Sequence, residues 1–165
     1  MIVIICGLPG VGKSTLAKNL APMINAIILS SDKIRKELFS NPTYSPFERK
    51  LVYDIMIILA KYLNEARCNC ILDATFNRED SRMEIKEKLH LNDKQFHIIE
   101  CFCPEEVVLS RLKFRKDDYS DATIEVYQKM KKIYEPVKVE HVIVDTTLDT
   151  QENSHRIIEE IKAKQ

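Results

Sequence analysis

The sequence predicts an α/β fold, a three-layer αβα sandwich around a five-stranded, doubly wound parallel sheet. Three observations lead there. Five short, continuous apolar runs are spread along the 165 residues, the pattern of strands buried on both faces. Helical patterns separate them, so each connection is a crossover and neighbouring strands run parallel. All three glycines fall within six positions, Gly7, Gly10 and Gly12, between the first apolar run and a helix. That is where such a sheet binds a ligand, at the carboxyl end of a strand.

The strands are expected at Ile2–Cys6, Ala26–Leu29, Cys70–Asp73, Phe96–Phe102 and His141–Val144. The first helix is expected over Ser14–Ala21 and a short charged one over Lys33–Phe39. The third, Glu48–Ala66, repeats apolar residues at Leu51, Val52, Ile55, Ile58, Leu59, Tyr62 and Leu63, a stripe of helical period. Arg78–His90 follows Asn77, a residue suited to cap it. Pro104 opens the next, with Glu105 and Glu106 in the first turn. Ala122–Tyr134 and Glu152–Lys164 complete the set.

The length suits one domain over residues 1–165, with enough chain to bury a core. Lys plus Arg equals Asp plus Glu, 25 each, which argues against a broad nucleic-acid footprint but leaves room for a local basic patch. No segment approaches 18 consecutive apolar residues, and Ile2–Cys6 lacks a basic flank. No membrane association and a cytoplasmic location are therefore expected. Cys6, Cys70 and Cys101 fall in strands, and neither Cys-x-Cys pair has zinc-ribbon spacing, so the thiols read as buried and structural. The four histidines show no ligand spacing.

The chemistry lies after the strands. Gly7-Leu8-Pro9-Gly10-Val11-Gly12-Lys13-Ser14-Thr15 fits G-x-x-x-x-G-K-[ST], the phosphate-binding loop. Glycines let successive N–H groups converge on a phosphate, and the following helix points its free N–H groups at the same anion. Lys13 is expected on the β- and γ-phosphates of ATP, with the Ser14 hydroxyl on Mg²⁺. After the second strand, Asp32 stands where an attacking hydroxyl meets the γ-phosphate, placed to take its proton. Arg35, one turn on, is placed for an acceptor's phosphate or carboxylate. Asp73 closes the third strand and either holds the metal's water shell or pairs with Arg35. Thr75 and Asn77 are candidate acceptor contacts. Arg111 and Arg115 share a helical face leading into a polar stretch at about 113–121 that reads as a short lid. A mobile arginine there would neutralise the transferring phosphoryl group. Asp145-Thr146-Thr147 is placed beside the nucleotide base. Acceptor specificity falls to Ser40–Lys50, where Asn-Pro and Ser-Pro mark turns.

These motifs resemble small P-loop kinases of the adenylate-kinase-like group, above all the kinase domain of polynucleotide 5′-kinases. The shared residues are Gly-x-Pro-Gly-x-Gly-Lys-Ser-Thr at 7–15, Ser-x-Asp-x-x-Arg at 30–35, Asp-x-Thr-x-Asn-x-x-x-x-Arg at 73–82, Arg111 with Arg115, and Tyr127-x-x-Met130. The similarity covers roughly residues 1–145. It implies a strand order 2-3-1-4-5 and transfer of the γ-phosphate of ATP to a hydroxyl. It implies Asp32 as general base, Arg35 on acceptor phosphate and Arg115 as lid arginine. Gluconate kinase and a seryl-tRNA kinase share this frame. The acceptor therefore stays open between a polynucleotide 5′-hydroxyl and a sugar or other small alcohol. A nucleotide-dependent switch acting through a partner is the third reading, and it has no use for Asp32.

Overall fold

The computed structural model describes residues 1–114 and 121–164. In chain order the elements are β1 (Ile2–Cys6), α1 (Lys13–Met23), β2 (Ala26–Ser30), α2 (Ser31–Leu38), α3 (Pro46–Glu65), β3 (Asn69–Asp73), α4 (Glu79–Lys88), β4 (Phe96–Phe102), α5 (Glu105–Lys113), α6 (Ile124–Ile133), β5 (Val142–Asp145) and α7 (Thr150–Ala163). The five strands form one parallel sheet in the order β2-β3-β1-β4-β5, the order the resemblance implied.

Alternation along β1 explains the three layers. Ile2, Ile4 and Cys6 point to one face and pack with Val52, Met56 and Ala60 of α3 and Ile85 of α4. Val3 and Ile5 point to the other, against Leu16 and Leu20 of α1, Val108 of α5 and Ile157 and Ile161 of α7. Central β1 is wholly buried, whereas edge strand β2 leaves Ile27 47% exposed and edge strand β5 leaves Ile143 52% exposed. Burial on both faces therefore holds for the inner strands and not for the edges, where no neighbour covers the outer side.

Several helix starts differ from expectation. Helix α3 begins at Pro46 because Ser45 caps it, its side chain accepting from the Glu48 N–H. Arg78, not Asn77, holds the N-cap position of α4 and makes no side-chain cap. Pro104 is the N-cap of α5 rather than its first helical residue. Helix α2 starts at Ser31, which puts Asp32 inside its first turn. No described helix is long and apolar enough to cross a membrane. Cys6, Cys70 and Cys101 are buried, as their strand positions foretold, and all five cysteines are free. Burial pushes the Cys6 thiol up to about 11 and Cys70 to about 12.

Candidate active site

The register aligns the carboxyl ends of β1, β2 and β3. Ser30 and Ile5 both pair with Asp73, so the phosphate loop, the start of α2 and the end of β3 open from one sheet edge. Gly7 leaves β1 with φ +136°, and a Cβ there would lie 2.3 Å from the Cys101 carbonyl oxygen. Only glycine has both the backbone freedom and the missing atom. Gly12 (φ +97°) is the N-cap of α1 and supplies no side chain, and no acidic residue follows in the first turn. The N–H groups of that turn are thus left for an external anion. Lys13 Nζ donates to the Leu8 carbonyl (2.9 Å), spanning the loop from behind.

Ser14 Oγ donates to Asp73 Oδ2 at 2.6 Å. A hydroxyl and a carboxylate oxygen side by side beneath a phosphate loop are the hard donors Mg²⁺ takes, together with phosphate oxygens and waters. Among the described residues no group of three or more His, Cys, Asp and Glu could hold a metal ion.

A cavity of about 990 Å³ opens beside the phosphate loop and is lined by Lys13, Ser14, Asp32, Arg35, Asp73, Thr75, Asn77 and Arg111. Sequence reasoning nominated all of these, and the fold brings them to one space. Asp32 accepts no hydrogen bond from the described residues, so its carboxylate serves neither as cap nor as ion-pair partner. Arg35 is 4% exposed, yet its Nε and Nη1 find no partner, and no ion pair joins it to Asp73. The alternative in which Asp73 orients Arg35 is thus not realised, because Asp73 is turned to Ser14. Arg35 lies instead over the Tyr44 ring, 4.7 Å from the centroid.

The segment before α3 is more ordered than its turn residues suggested. Glu48, 6% exposed, accepts from Thr43 N–H and Oγ1 and from the Tyr44 N–H (2.7 Å). The Thr43 hydroxyl, then the backbone N–H groups, hold its carboxyl below the usual 4.5. Ser45-x-x-Glu48 is a capping-box spacing, the one signal from which this structure was readable. Tyr44 itself gave no sequence signal.

Thr75 and Asn77 flank Phe76, whose φ of +43° is left-handed. Two contacts fix that conformation: the Phe76 N–H donates to the Tyr53 hydroxyl (3.3 Å), and the Phe76 carbonyl accepts from Arg82 Nη1 (2.6 Å). Arg82 is fully buried and also donates to Glu79 Oε2 and to the carbonyls of Glu135 and Pro136. The last residue of the 73–82 motif is thus a brace, behind the cavity.

Arg111 lies on the nucleotide side. Its Nη2 donates to the Thr146 carbonyl (2.8 Å) and its Nη1 to Thr146 Oγ1 (3.0 Å) and the Val11 carbonyl (3.4 Å). Thr146 Oγ1 also donates to the Val11 carbonyl. The loop after β5 therefore braces the phosphate loop, in addition to the base contact expected of it. Arg115 and most of the expected lid lie outside the described residues. Tyr127 is a core residue and Met130 lines the cavity.

The fold is that of the P-loop kinases. Three solved structures share the fold at low identity. One is a Mycobacterium tuberculosis APS kinase in complex with AMPPNP and APS (TM-score 0.74, 16% identity, 98% of this chain and 96% of that one). Another is a gluconokinase of Sinorhizobium meliloti (0.73, 15%, 98% and 91%). The third is a sugar kinase of Janibacter sp. (0.74, 14%, 96% and 92%). The chain belongs to the AAA domain family, whose model matches residues 2–137. An uncharacterized protein of Mycobacterium tuberculosis and one of Mycobacterium bovis are each 28% identical to it over 139 residues, 76% of this chain. The chain spans only 28% of the length of these curated relatives.

Proposed function

We propose that this chain is an ATP-dependent phosphotransferase acting on the hydroxyl of an anion-bearing acceptor. One observation carries the reading: a single cavity joins the phosphate loop to an unengaged carboxylate, Asp32, and to a buried guanidinium, Arg35, whose Nε and Nη1 have no hydrogen-bond partner. The APS kinase, gluconokinase and sugar kinase of the same fold support it by analogy.

In the proposed reaction Gly7–Thr15 hold the triphosphate of ATP, with backbone N–H groups and Lys13 on the phosphates. Ser14 and Asp73 would hold Mg²⁺, which when bound would offset charge on the phosphate oxygens. Asp32 accepts the proton of the acceptor hydroxyl as that oxygen bonds to the γ-phosphorus. The bond from phosphorus to the bridging oxygen breaks, and ADP leaves. Arg35 holds the acceptor's anionic group, and a 5′-hydroxyl polynucleotide and an anionic small alcohol both meet that need. Arg111 supports the loop under the nucleotide, and the transferring phosphoryl group falls to Arg115.

The test is transfer of label from γ-labelled ATP with Mg²⁺ to a 5′-hydroxyl oligonucleotide, then to a panel of small alcohols and sugars, with wild type beside Asp32→Asn. Transfer in the wild type is expected to drop about 10²–10⁴-fold in the variant, with ATP affinity within a few-fold. A retained rate removes Asp32 as base. Steep loss of acceptor affinity with salt would select the polynucleotide. Tight ATP binding with no transfer to any acceptor would replace the kinase by a nucleotide-dependent switch.

A further inference from the structure

The Arg35 guanidinium poses a physical question. A cation with Nε and Nη1 buried and unpaired is costly unless an anion completes it, and something must hold it extended meanwhile. Tyr44 is built for that task, because every polar group it has is engaged. Its N–H donates to Glu48 Oε2 at 2.7 Å. Its carbonyl accepts from Arg49 Nε at 2.9 Å. Its hydroxyl donates to Asp121 Oδ2 at 2.6 Å, and Lys36 Nζ reaches the other oxygen of that carboxylate at 2.9 Å. Its backbone is left-handed, φ +56°, which a bulky residue adopts only when its surroundings enforce it.

Each contact fixes one degree of freedom of the ring. Glu48 sets the backbone, Asp121 pins the far end, and the face between them lies under Arg35. The stack engages the π face of the guanidinium while Nε and Nη1 keep no hydrogen-bond partner. An arginine so held needs little reorganisation to receive an oxyanion.

We infer that Tyr44 is a positioning residue which stacks Arg35 into a preformed oxyanion subsite, and that Glu48 and Asp121 act through it. The ligand class is a phosphate or carboxylate on the acceptor. The inference rests on the kinase reading only in calling the bound molecule an acceptor; the subsite itself does not depend on turnover.

The test uses the full chain with AMPPNP and Mg²⁺ filling the phosphate loop and inorganic phosphate as probe. Phosphate binding is followed at the Arg35 Nε–H resonance, assigned through Arg35→Lys. The wild-type resonance is expected to move on titration. Tyr44→Phe, which keeps the stacking ring but loses the Asp121 hydrogen bond, should bind up to about threefold more weakly than wild type, and Tyr44→Leu, which loses both, about tenfold more weakly or worse. Thermal midpoint and AMPPNP affinity, measured alongside, show that each variant is folded. An unresponsive wild-type resonance overturns the inference. So does Tyr44→Leu binding as wild type, or Phe and Leu weakening binding equally. A Tyr44-dependent response in a chain that phosphorylates nothing would leave the subsite and remove the kinase. Transfer without any response at Arg35 would do the reverse.

Discussion

Arg82 shows how far a side chain's position can depart from its charge. Arginine is mostly exposed in proteins, yet here it is the largest wholly buried residue, tying the start of α4 to the segment between α6 and β5. Through the Phe76 carbonyl it also fixes the turn that carries Thr75 and Asn77 to the cavity. Removing it would strand several carbonyls and leave Glu79, whose side chain is 15% exposed, without its cation. Arg82→Met is expected to lower unfolding free energy by about 3–5 kcal/mol in urea denaturation. Arg78→Met, four residues earlier and exposed, should cost no more than about 0.5 kcal/mol. The sequence made Lys13, Ser14, Asp32, Arg35 and Asp73 readable because each sits at a fixed offset from a strand end or a glycine. Tyr44 and the bracing by Thr146 were hidden because their meaning lies in contacts between distant segments: Tyr44 with Asp121, 77 residues on, and Thr146 with Val11, 135 residues back.

At the scale of the element, the sheet grades its strands by position. β1 lies between β3 and β4 and shields nothing from water except itself, while β2 borders solvent. Ile4→Ala on β1 is expected to cost about 2–5 kcal/mol, whereas Ile27→Ala on β2 should stay below about 1 kcal/mol. A pair of equal costs would contradict the strand order. The apolar pattern along the chain revealed all five strands. It did not reveal which strands lie at the edge, and the helix starts followed Ser45, Thr123 and Asp149 caps that an apolar period does not register.

For the whole molecule, His97 offers a handle on pH. It is 5% exposed on β4, and burial holds its pKa below the ordinary 6.5, with Lys164 adding to the effect against a hydrogen bond to the Lys94 carbonyl. The fold thus keeps the ring neutral where the unfolded chain already takes a proton. The His97 contribution to stability is level above about pH 6.5 and declines below it, until the folded form also titrates. The urea midpoint of the wild type should fall more between pH 7.5 and 5.5 than that of His97→Gln, with both pH values set by that ordinary value. Equal declines would assign the acid sensitivity to other groups.

The brace between Thr146 and Val11 also carries a consequence for how the chain is made. The phosphate loop is synthesised well before the hydroxyl that supports it, which follows β5 and stands 135 residues further along the chain. A nascent chain that has emerged only as far as residue 137, where the family match ends, holds the complete loop sequence without its support. The braced form of the loop is therefore complete only once β5 has emerged, however early the loop itself is made.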